Sequence, residues 1–373
     1  MIEPAIITAL VFTTFSILCH EKPATLPDKL DARLHQAFPD SLPGIAYALI
    51  QGDSILYRGC FGAESMETHS PNTPASNFRM ASVSKQFTAM AILLLEKQGS
   101  LSLDDPLLKF FPDFNPKVGQ AVALRHLLTH TSGLWDYESL IPEERSEQVD
   151  DADVVAMVKT MDTTYFAPGT QFRYSNTGFC ILAEIVAGVS GQPYGEFMRE
   201  RLFQPLGMEH TFIYNRFEPQ SERALGYKHD AEEGRILFSD QSVTSATKGD
   251  GCVYTSLNDY ERWARALIDS RPVDLDTALE RCHFRIYPDK GLYYGCGWFF
   301  HRDAAGKLEL FHTGSTCGFS NHAIIVPDRR LIEICFSNQA DNHAIHRAID
   351  SLLEQFGAPR AAYPFWPADE LTQ

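Results

Sequence analysis

The sequence lacks several common signatures: it has no C-x-x-C pair, no H-E-x-x-H, no G-x-S-x-G, and no internal repeats or low-complexity tracts. These absences exclude the usual pattern of zinc proteases and the serine elbow of α/β-hydrolases. The eight cysteines are scattered singly, so their spacing predicts no disulfide framework and no metal site. Positive charge is scarce, and the net charge of -16 argues against nucleic acid as a partner.

Only one long apolar run is present, and it lies at the N-terminus. Residues 5–19 are largely apolar, but this run is too short to span a membrane comfortably and is typical of the hydrophobic region of a secretion signal. Glu3 and the lack of Lys or Arg before the run depart from that pattern, so a merely apolar N-terminal helix stays open. We expect residues 1–20 to be a signal peptide or membrane tether, and the protein to be secreted, periplasmic or membrane-tethered.

What remains has the composition of a soluble globular protein, with 44% hydrophobic and 21% charged residues in a chain of 373. Short apolar or aromatic runs separated by turns predict strands near both chain ends. The predicted strands are 42–50, 55–61, 293–301, 307–312, 321–326 and 331–337. Apolar periodicity predicts helices at 82–98, 152–161, 178–189, 194–202, 258–269 and 344–356.

This order of elements predicts an α/β (α+β) fold, in which one antiparallel sheet is assembled from both ends of the chain and flanked by helices. A mainly helical subdomain would lie beside it. We expect the sheet subdomain to comprise residues 28–80 and 245–357, and the helical subdomain residues 81–244, with a proline-rich tail at 358–373. The sequence does not predict an oligomeric state.

Ser82-Val83-Ser84-Lys85 is the most informative motif, because it opens an apolar helix. A serine and a lysine three positions apart lie on one face of a helix, one turn from each other. An amine held unprotonated beside a hydroxyl makes that hydroxyl a useful nucleophile. Ser245-Ala246-Thr247-Lys248 has the same spacing, but the glycines after it predict a loop, so we favour Ser82.

Two further triplets lie where other walls of an active site would be needed. Tyr174-Ser175-Asn176 stands just before a predicted helix, and His312-Thr313-Gly314 stands at the end of a predicted strand. Each triplet is weak alone, and their order and structural context give them weight. His126 and His130 are spaced to share a helical face, but no Glu follows His126, so we expect them to be structural and expect no metal or other cofactor.

With these motifs the sequence resembles the serine β-lactamase-related family, which includes class C β-lactamases, D-aminopeptidases, DD-carboxypeptidases and β-lactamase-fold esterases. The family pairs S-x-x-K with Y-x-N and [K/H]-x-G. The likeness runs from about residue 30 to 356 and includes these further segments: Leu127–Leu134, Phe172–Gly178, Pro205–Met208 and Gly249–Gly251. The resemblance implies a β-lactamase/transpeptidase-like fold.

The resemblance also implies roles for individual residues. Ser82 would form an acyl-enzyme, while Lys85 and Tyr174 would handle its proton, with the division of labour between them open. Five further residues are implied in substrate binding. They are Asn176, which would bond Lys85 or a substrate amide, His312, Thr313, Gly314, and Ser315, whose backbone N–H would complete the oxyanion hole with that of Ser82.

His312 is the main departure, because class C β-lactamases and penicillin-binding proteins mostly have lysine there. A histidine with an ordinary pKa of about 6.5 is mostly neutral at pH 7 and is a poorer partner for a substrate carboxylate. We therefore expect a serine hydrolase that acts on a small-molecule or peptide amide or ester. The alternatives are a true β-lactamase or DD-peptidase, and a non-catalytic binding or scaffold homologue.

Overall fold

A computed structural model describes residues 24–218, 222–340 and 342–362, so the predicted signal or tether segment and most of the predicted tail lie outside the described residues. Within the described ranges, the strands are β1 (Ile45–Gln51), β2 (Ser54–Phe61), β3 (Ala63–Ser65), β4 (Ser70–Pro71), β5 (Phe78–Arg79), β6 (Phe212–Ile213), β7 (Tyr227–Asp230), β8 (Arg235–Phe238), β9 (Val253–Thr255), β10 (Phe284–Tyr287), β11 (Leu292–Gly295), β12 (Trp298–Arg302), β13 (Leu308–Thr316), β14 (Phe319–Val326) and β15 (Leu331–Ser337).

The α-helices over the same ranges are α1 (Leu26–Ala37), α2 (Lys85–Lys97), α3 (Pro116–Ala121), α4 (Leu124–Leu128), α5 (Asp151–Val158), α6 (Asn176–Ser190), α7 (Tyr194–Met198), α8 (Lys248–Gly251), α9 (Leu257–Ile268), α10 (Leu275–Arg281) and α11 (His343–Gln355). A 3₁₀ turn, Ala81–Ser84, leads directly into α2. None of the described helices has the length and apolar character needed to cross a membrane.

The central sheet has eight strands in the order β10-β11-β12-β13-β14-β15-β1-β2, and every neighbouring pair is antiparallel. The N-terminal hairpin therefore joins the C-terminal meander through the pairing of β1 with β15. This arrangement confirms the predicted fold class, with one antiparallel sheet built from both chain ends and helices around it.

Both faces of the sheet are covered, as the alternation of side chains along β1 shows. Tyr47 and Leu49 pack toward α1 and α11, whereas Ala46 and Ala48 pack toward α2 and α9. Successive side chains of a strand point to opposite faces, so a strand that is buried on both sides reads as a continuous apolar run. The β1 segment Ile45–Ile50 has this character.

Several predicted elements need correction. The single strand predicted at 293–301 is two strands, β11 and β12, joined at Cys296-Gly297. Both turn residues have positive φ, which suits a two-residue hairpin. The strand predicted at 307–312 continues to Thr316, so the His312 triplet lies inside β13 and not at the end of a strand. The helix predicted at 194–202 ends at Met198, and a π turn follows.

The region predicted to be mainly helical also contains strand pairing that the sequence did not indicate. Strands β7 and β8 form a separate hairpin, and β6 joins β5 and β9 in a three-stranded sheet. The latter matters for the site, because β5 ends at Arg79, just before the 3₁₀ turn that carries Ser82.

Candidate active site

Ser82 lies on the 3₁₀ turn before α2 and is partly exposed. The preceding residue, Ala81, has φ of 48°, a left-handed conformation that costs a non-glycine residue energy. Such strain persists only where the surroundings hold it, and here α2 is buried along most of its length. The serine therefore lies on a slightly strained turn that the buried helix α2 holds in place.

Lys85 is fully buried and connects all three parts of the site. Its Nζ donates to Ser82 Oγ at 3.0 Å, to Asn176 Oδ1 at 2.7 Å and to the Asp250 carbonyl at 3.1 Å. The same Nζ lies 5.0 Å from the centre of the Tyr174 ring. All three acceptors are neutral oxygens, so Nζ is fixed beside the serine hydroxyl without being held in an ion pair.

Asn176 is the first residue of α6, where the sequence placed it just before the helix. Its side-chain oxygen accepts from Lys85, and its Nδ2 donates to Glu138 Oε1 at 2.7 Å. Partial burial raises the pKa of the Glu138 carboxyl above its usual range. Sequence reasoning missed Glu138, because only the folded chain brings it to Asn176.

The Tyr174 hydroxyl is buried and has no hydrogen-bond partner among the described residues. Its ring is held by aromatic neighbours, with the His130 centroid at 4.2 Å and the Phe299 ring stacked at 6.3 Å. A buried hydroxyl without a partner costs about 1–3 kcal/mol, so it points to a polar group that arrives with substrate. The structure thus places Tyr174 beside Lys85, with its hydroxyl unbonded among the described residues.

His130 and His126 have structural roles, because each accepts a hydrogen bond from a backbone N–H. His130 Nδ1 accepts from Ser175 N at 3.2 Å, and His126 Nδ1 accepts from Ala123 N at 3.1 Å. Burial, followed by the nearby positive charge of Lys85, holds the pKa of His130 well below its usual value. His130 is therefore a neutral ring that positions Tyr174 and the start of α6.

His312 is fully buried in β13 and carries no charge at physiological pH. Burial, reinforced by Lys85, lowers its pKa to about 3. Its Nε2 lies 3.3 Å from the Tyr294 hydroxyl and its Nδ1 lies 2.5 Å from the Thr313 carbonyl. The position that is usually a lysine in β-lactamases is thus a neutral ring fixed by two polar neighbours.

Gly314 lies directly against the 3₁₀ turn, which explains why no side chain is present there. An added Cβ would be 2.2 Å from the Met80 carbonyl oxygen and 3.2 Å from Ser82 N. Asn321 joins the same two segments, because its Nδ2 donates to the Arg79 carbonyl at 2.8 Å and to the Gly314 carbonyl at 3.3 Å. The sequence gave no signal for this role of Asn321.

Beyond Phe311, β13 pairs only with β14 in the part of the chain that the structure describes. One backbone edge of Thr313, Gly314 and Ser315 is therefore unpaired. Ser315 is exposed, and Thr313 is partly buried. An unpaired strand edge beside Ser82 offers main-chain donors and acceptors to an extended ligand.

Ser245, the competing nucleophile, is fully buried. Its hydroxyl accepts from Ser242 N at 2.8 Å, and its carbonyl accepts from Arg79. Ser245 is therefore a buried residue that contacts Ser242 and Arg79.

Comparison with known proteins now becomes informative. The sequence model of the Beta-lactamase family matches residues 32–356. The chain belongs to the Beta-lactamase family. It is 32% identical over 338 residues to penicillin-binding protein 4* of Bacillus subtilis, a match that covers 86% of this chain and 74% of that protein.

Solved structures of Beta-lactamase-type proteins confirm the predicted fold. A penicillin-binding protein from Bacillus halodurans superposes with a TM-score of 0.74 at 26% identity, covering 87% of this chain and 98% of that one. D-amino acid amidase from Ochrobactrum anthropi, solved with L-phenylalanine amide, has a TM-score of 0.71 at 24% identity, covering 89% and 98%. The latter likeness shows the fold alone.

One part of this Beta-lactamase-family site appeared in the sequence only as a resemblance, the segment Gly249–Gly251. The Asp250 carbonyl binds Lys85, and the short helix α8 around it is anchored by Asp151. Asp151 accepts from Lys248 N at 2.8 Å and from Gly249 N at 3.1 Å. Burial raises the pKa of Asp151 to about 7 in spite of these donors. Asp151 is thus a positioning residue that acts on Lys85 through α8.

Proposed function

We propose that this protein is a serine hydrolase that forms an acyl-enzyme at Ser82 on a small amide or ester. The observation that carries the proposal is the position of Lys85 Nζ, which is hydrogen-bonded at once to Ser82 Oγ and to Asn176 Oδ1. The S-x-x-K and Y-x-N motifs therefore meet at one buried amine, and the Asp250 carbonyl is its third acceptor. The membership of the Beta-lactamase family supports the same chemistry.

In the acylation step, Ser82 Oγ attacks the substrate carbonyl carbon and its proton leaves. Lys85 Nζ, 3.0 Å away, is within direct transfer distance when it is unprotonated. The negative charge that develops on the carbonyl oxygen would be met by the backbone N–H groups of Ser82 and Ser315, and donors of this kind contribute a few kcal/mol each.

Departure of the leaving group needs a proton, and deacylation needs an activated water. The unpartnered hydroxyl of Tyr174 is suited to both tasks, because it has no competing hydrogen bond within the described chain. The product acid then leaves, and Lys85 Nζ returns the proton that it took in acylation to Ser82 Oγ. Lys85 and Asn176 would hold this geometry through the cycle.

The neutral His312 supports an amide or ester substrate over a carboxylate-bearing β-lactam. With its pKa lowered to about 3, this residue supplies no positive charge for a substrate carboxylate. We infer a peptidase or esterase preference. A true β-lactamase, a DD-peptidase and a non-catalytic homologue remain as outcomes of the experiment.

The test is a hydrolysis panel run with wild type, Ser82→Ala and Ser245→Ala as the matched control. The substrates are a short-chain nitrophenyl ester, a D-alanyl anilide and a chromogenic cephalosporin. We expect turnover of the ester or anilide that is lost in Ser82→Ala and kept in Ser245→Ala. Cephalosporin as the best substrate would overturn the preference, and turnover that survives Ser82→Ala would overturn the mechanism.

Export or membrane tethering through residues 1–20 stays a proposal that accompanies this function. A peptidase or esterase that acts outside the cytoplasm would need such a segment. Cell fractionation of the full chain compared with a chain that lacks residues 1–20 tests it. Loss of export in the shortened chain is expected, and equal distribution of the two would contradict it.

A further inference from the structure

A cluster of metal-binding side chains lies in the interface between the central sheet and α11. His322 in β14, Cys335 in β15 and His346 in α11 are all buried. One ligand atom from each lies within 4.8 Å of the others. His322 and Cys335 are directly opposite each other in the β14–β15 register, so their side chains share one face of the sheet.

Glu333 lies beside this three-residue cluster, next to His322, and offers a carboxylate as a fourth ligand. It lies two residues before Cys335 in β15, so its side chain points to the same face. A Glu333 carboxylate oxygen is 3.6 Å from His322 Nε2 and also accepts from the Tyr47 hydroxyl at 3.1 Å. Burial raises the pKa of the Tyr47 phenol, so it remains a donor that orients the carboxylate.

This cluster is separate from the proposed catalytic site. His322 is paired with Thr313, and the next residue along, Gly314, directs its Cβ position toward Ser82. Because neighbouring residues of a strand point to opposite faces, His322 lies on the face away from Ser82. That face packs against α1 and α11 through apolar side chains such as Leu34 and Ile349.

We propose that His322, Glu333, Cys335 and His346 bind one structural Zn²⁺ ion. Imidazole, thiolate and carboxylate are the usual protein ligands of zinc, and structural sites have four of them in a tetrahedron. Zn–N and Zn–S distances of about 2.0–2.3 Å place tetrahedral donor atoms about 3.5 Å apart. The donor atoms of His322, Cys335 and His346, which lie within 4.8 Å of one another, would have to move closer by roughly 1 Å, and the Glu333 carboxylate would have to turn toward them.

Charge balance supports zinc at this buried position. Two neutral imidazoles, one thiolate and one carboxylate carry two negative charges, which a divalent cation neutralises. The ion would fasten α11 to the adjacent strands β14 and β15 and so stabilise the packing of this helix on the sheet.

No metal is predicted from the sequence, because the four side chains are spread over residues 322–346 and no short zinc motif links them. The β14–β15 register brings the first two ligands together, since His322 lies directly opposite Cys335. Glu333 and His346 are then brought in by strand periodicity and by the packing of α11.

The experiment is a Co²⁺ titration of the tag-free full-length chain after chelation, followed by displacement with Zn²⁺. We expect one equivalent of Co²⁺ to give the visible bands of tetrahedral cobalt and a near-ultraviolet thiolate charge-transfer band. Cys335→Ser should lose the charge-transfer band. The matched control Cys180→Ser, a buried cysteine in α6, should keep it.

A second variant keeps the proposal falsifiable if Cys335→Ser does not fold. His346→Gln should weaken Zn²⁺ affinity at least about 10-fold, the scale of loss seen when metal-site residues are changed. Zn²⁺ should raise the unfolding midpoint of wild type and not that of this variant. Absence of the charge-transfer band in folded wild type, or its survival in Cys335→Ser, would overturn the proposal. The readout needs no hydrolytic activity.

Discussion

Replacing Tyr174 by Phe separates a chemical role from a structural one. The Tyr174 hydroxyl is buried without a hydrogen-bond partner among the described residues, so removing it breaks no bond within the fold. A buried unpaired hydroxyl costs about 1–3 kcal/mol, and its removal should leave the free energy of unfolding unchanged or raise it by up to about 1 kcal/mol. If the hydroxyl transfers protons, kcat should fall by about 10²- to 10⁴-fold.

Tyr260→Phe is the matched control for this prediction. Tyr260 is also fully buried, but its hydroxyl donates to Gln86 Oε1 at 2.7 Å. Loss of that hydrogen bond should cost about 1 kcal/mol of stability and leave kcat unchanged. Tyr174→Phe should therefore lose kcat and keep its stability, whereas Tyr260→Phe should lose stability and keep its kcat.

The assay is urea unfolding for stability and ester or anilide hydrolysis for kcat, both on the same preparations. Intact packing of the Tyr174 ring against His130 should keep the near-ultraviolet circular dichroism of Tyr174→Phe native-like. A Tyr174→Phe protein that retains kcat within a few-fold of wild type would refute the reasoning. So would a loss of stability as large as that of Tyr260→Phe, because it would reveal a structural partner for the hydroxyl.

Three further predictions follow from the same geometry. Gly314→Ala adds a Cβ that would push the Met80 carbonyl away, and because a displacement of about 1 Å can cost about 10²-fold in rate, kcat should fall by about 10²-fold. The control Gly188→Ala adds a Cβ in open space and should leave hydrolysis unchanged. Asn321→Ala removes the hydrogen bonds that join β5 to β13, so the free energy of unfolding in urea should fall by about 1–3 kcal/mol and kcat should fall as well. A variant that is as stable and as active as wild type would contradict this. The pKa of His312 is about 3 in the folded protein and about 6.5 in the unfolded chain, so the unfolded chain takes up a proton first as the pH falls below 6.5 and the folded state loses stability. Between pH 7 and pH 5 the free energy of unfolding of wild type should therefore fall by up to about 2 kcal/mol more than that of His312→Gln. An equal pH dependence of unfolding in the two proteins would show that His312 titrates normally.

The sequence predicted the fold class and the position of most long elements because their signals are local. Apolar helices such as α2 and the strands of the C-terminal meander have regular patterns and clear turns. The split between β11 and β12 was missed although Gly295 and Gly297 mark the turn, because aromatic residues on both sides continue the strand pattern across it. The β7–β8 hairpin was missed because each strand has only 4 residues and β7 is largely polar.

The site motifs were also recognisable, since S-x-x-K, Y-x-N and H-x-G are each continuous in sequence. The meeting of Ser82 and Asn176 at Lys85, and of Gly314 with the turn that carries Ser82, is a property of the fold, and the catalytic roles of the three motifs stay predictions. Contacts between distant segments carried no such signal. Glu138 reaches Asn176, and Asp250 reaches Lys85, only through packing of loops against α6 and α2.

The prediction that position 312 lacks a permanent charge came from residue type alone. An ordinary histidine titrates near neutral pH, and the sequence could say only that it would be mostly neutral. Burial and the nearby Lys85 amine lower its pKa to about 3, and burial cannot be read from a single residue. This electrostatic detail depends on the folded surroundings.

The measurement that tests the central claim most directly is covalent labelling with a fluorophosphonate, followed by peptide mass spectrometry. The probe reacts only with an activated serine hydroxyl, and the chain offers two S-x-x-K serines for comparison. We expect one phosphonate per chain, located on Ser82, and no labelling of Ser82→Ala or Lys85→Met. Labelling of Ser245, or folded wild type that takes up no probe, would contradict the assignment of Ser82 as the nucleophile.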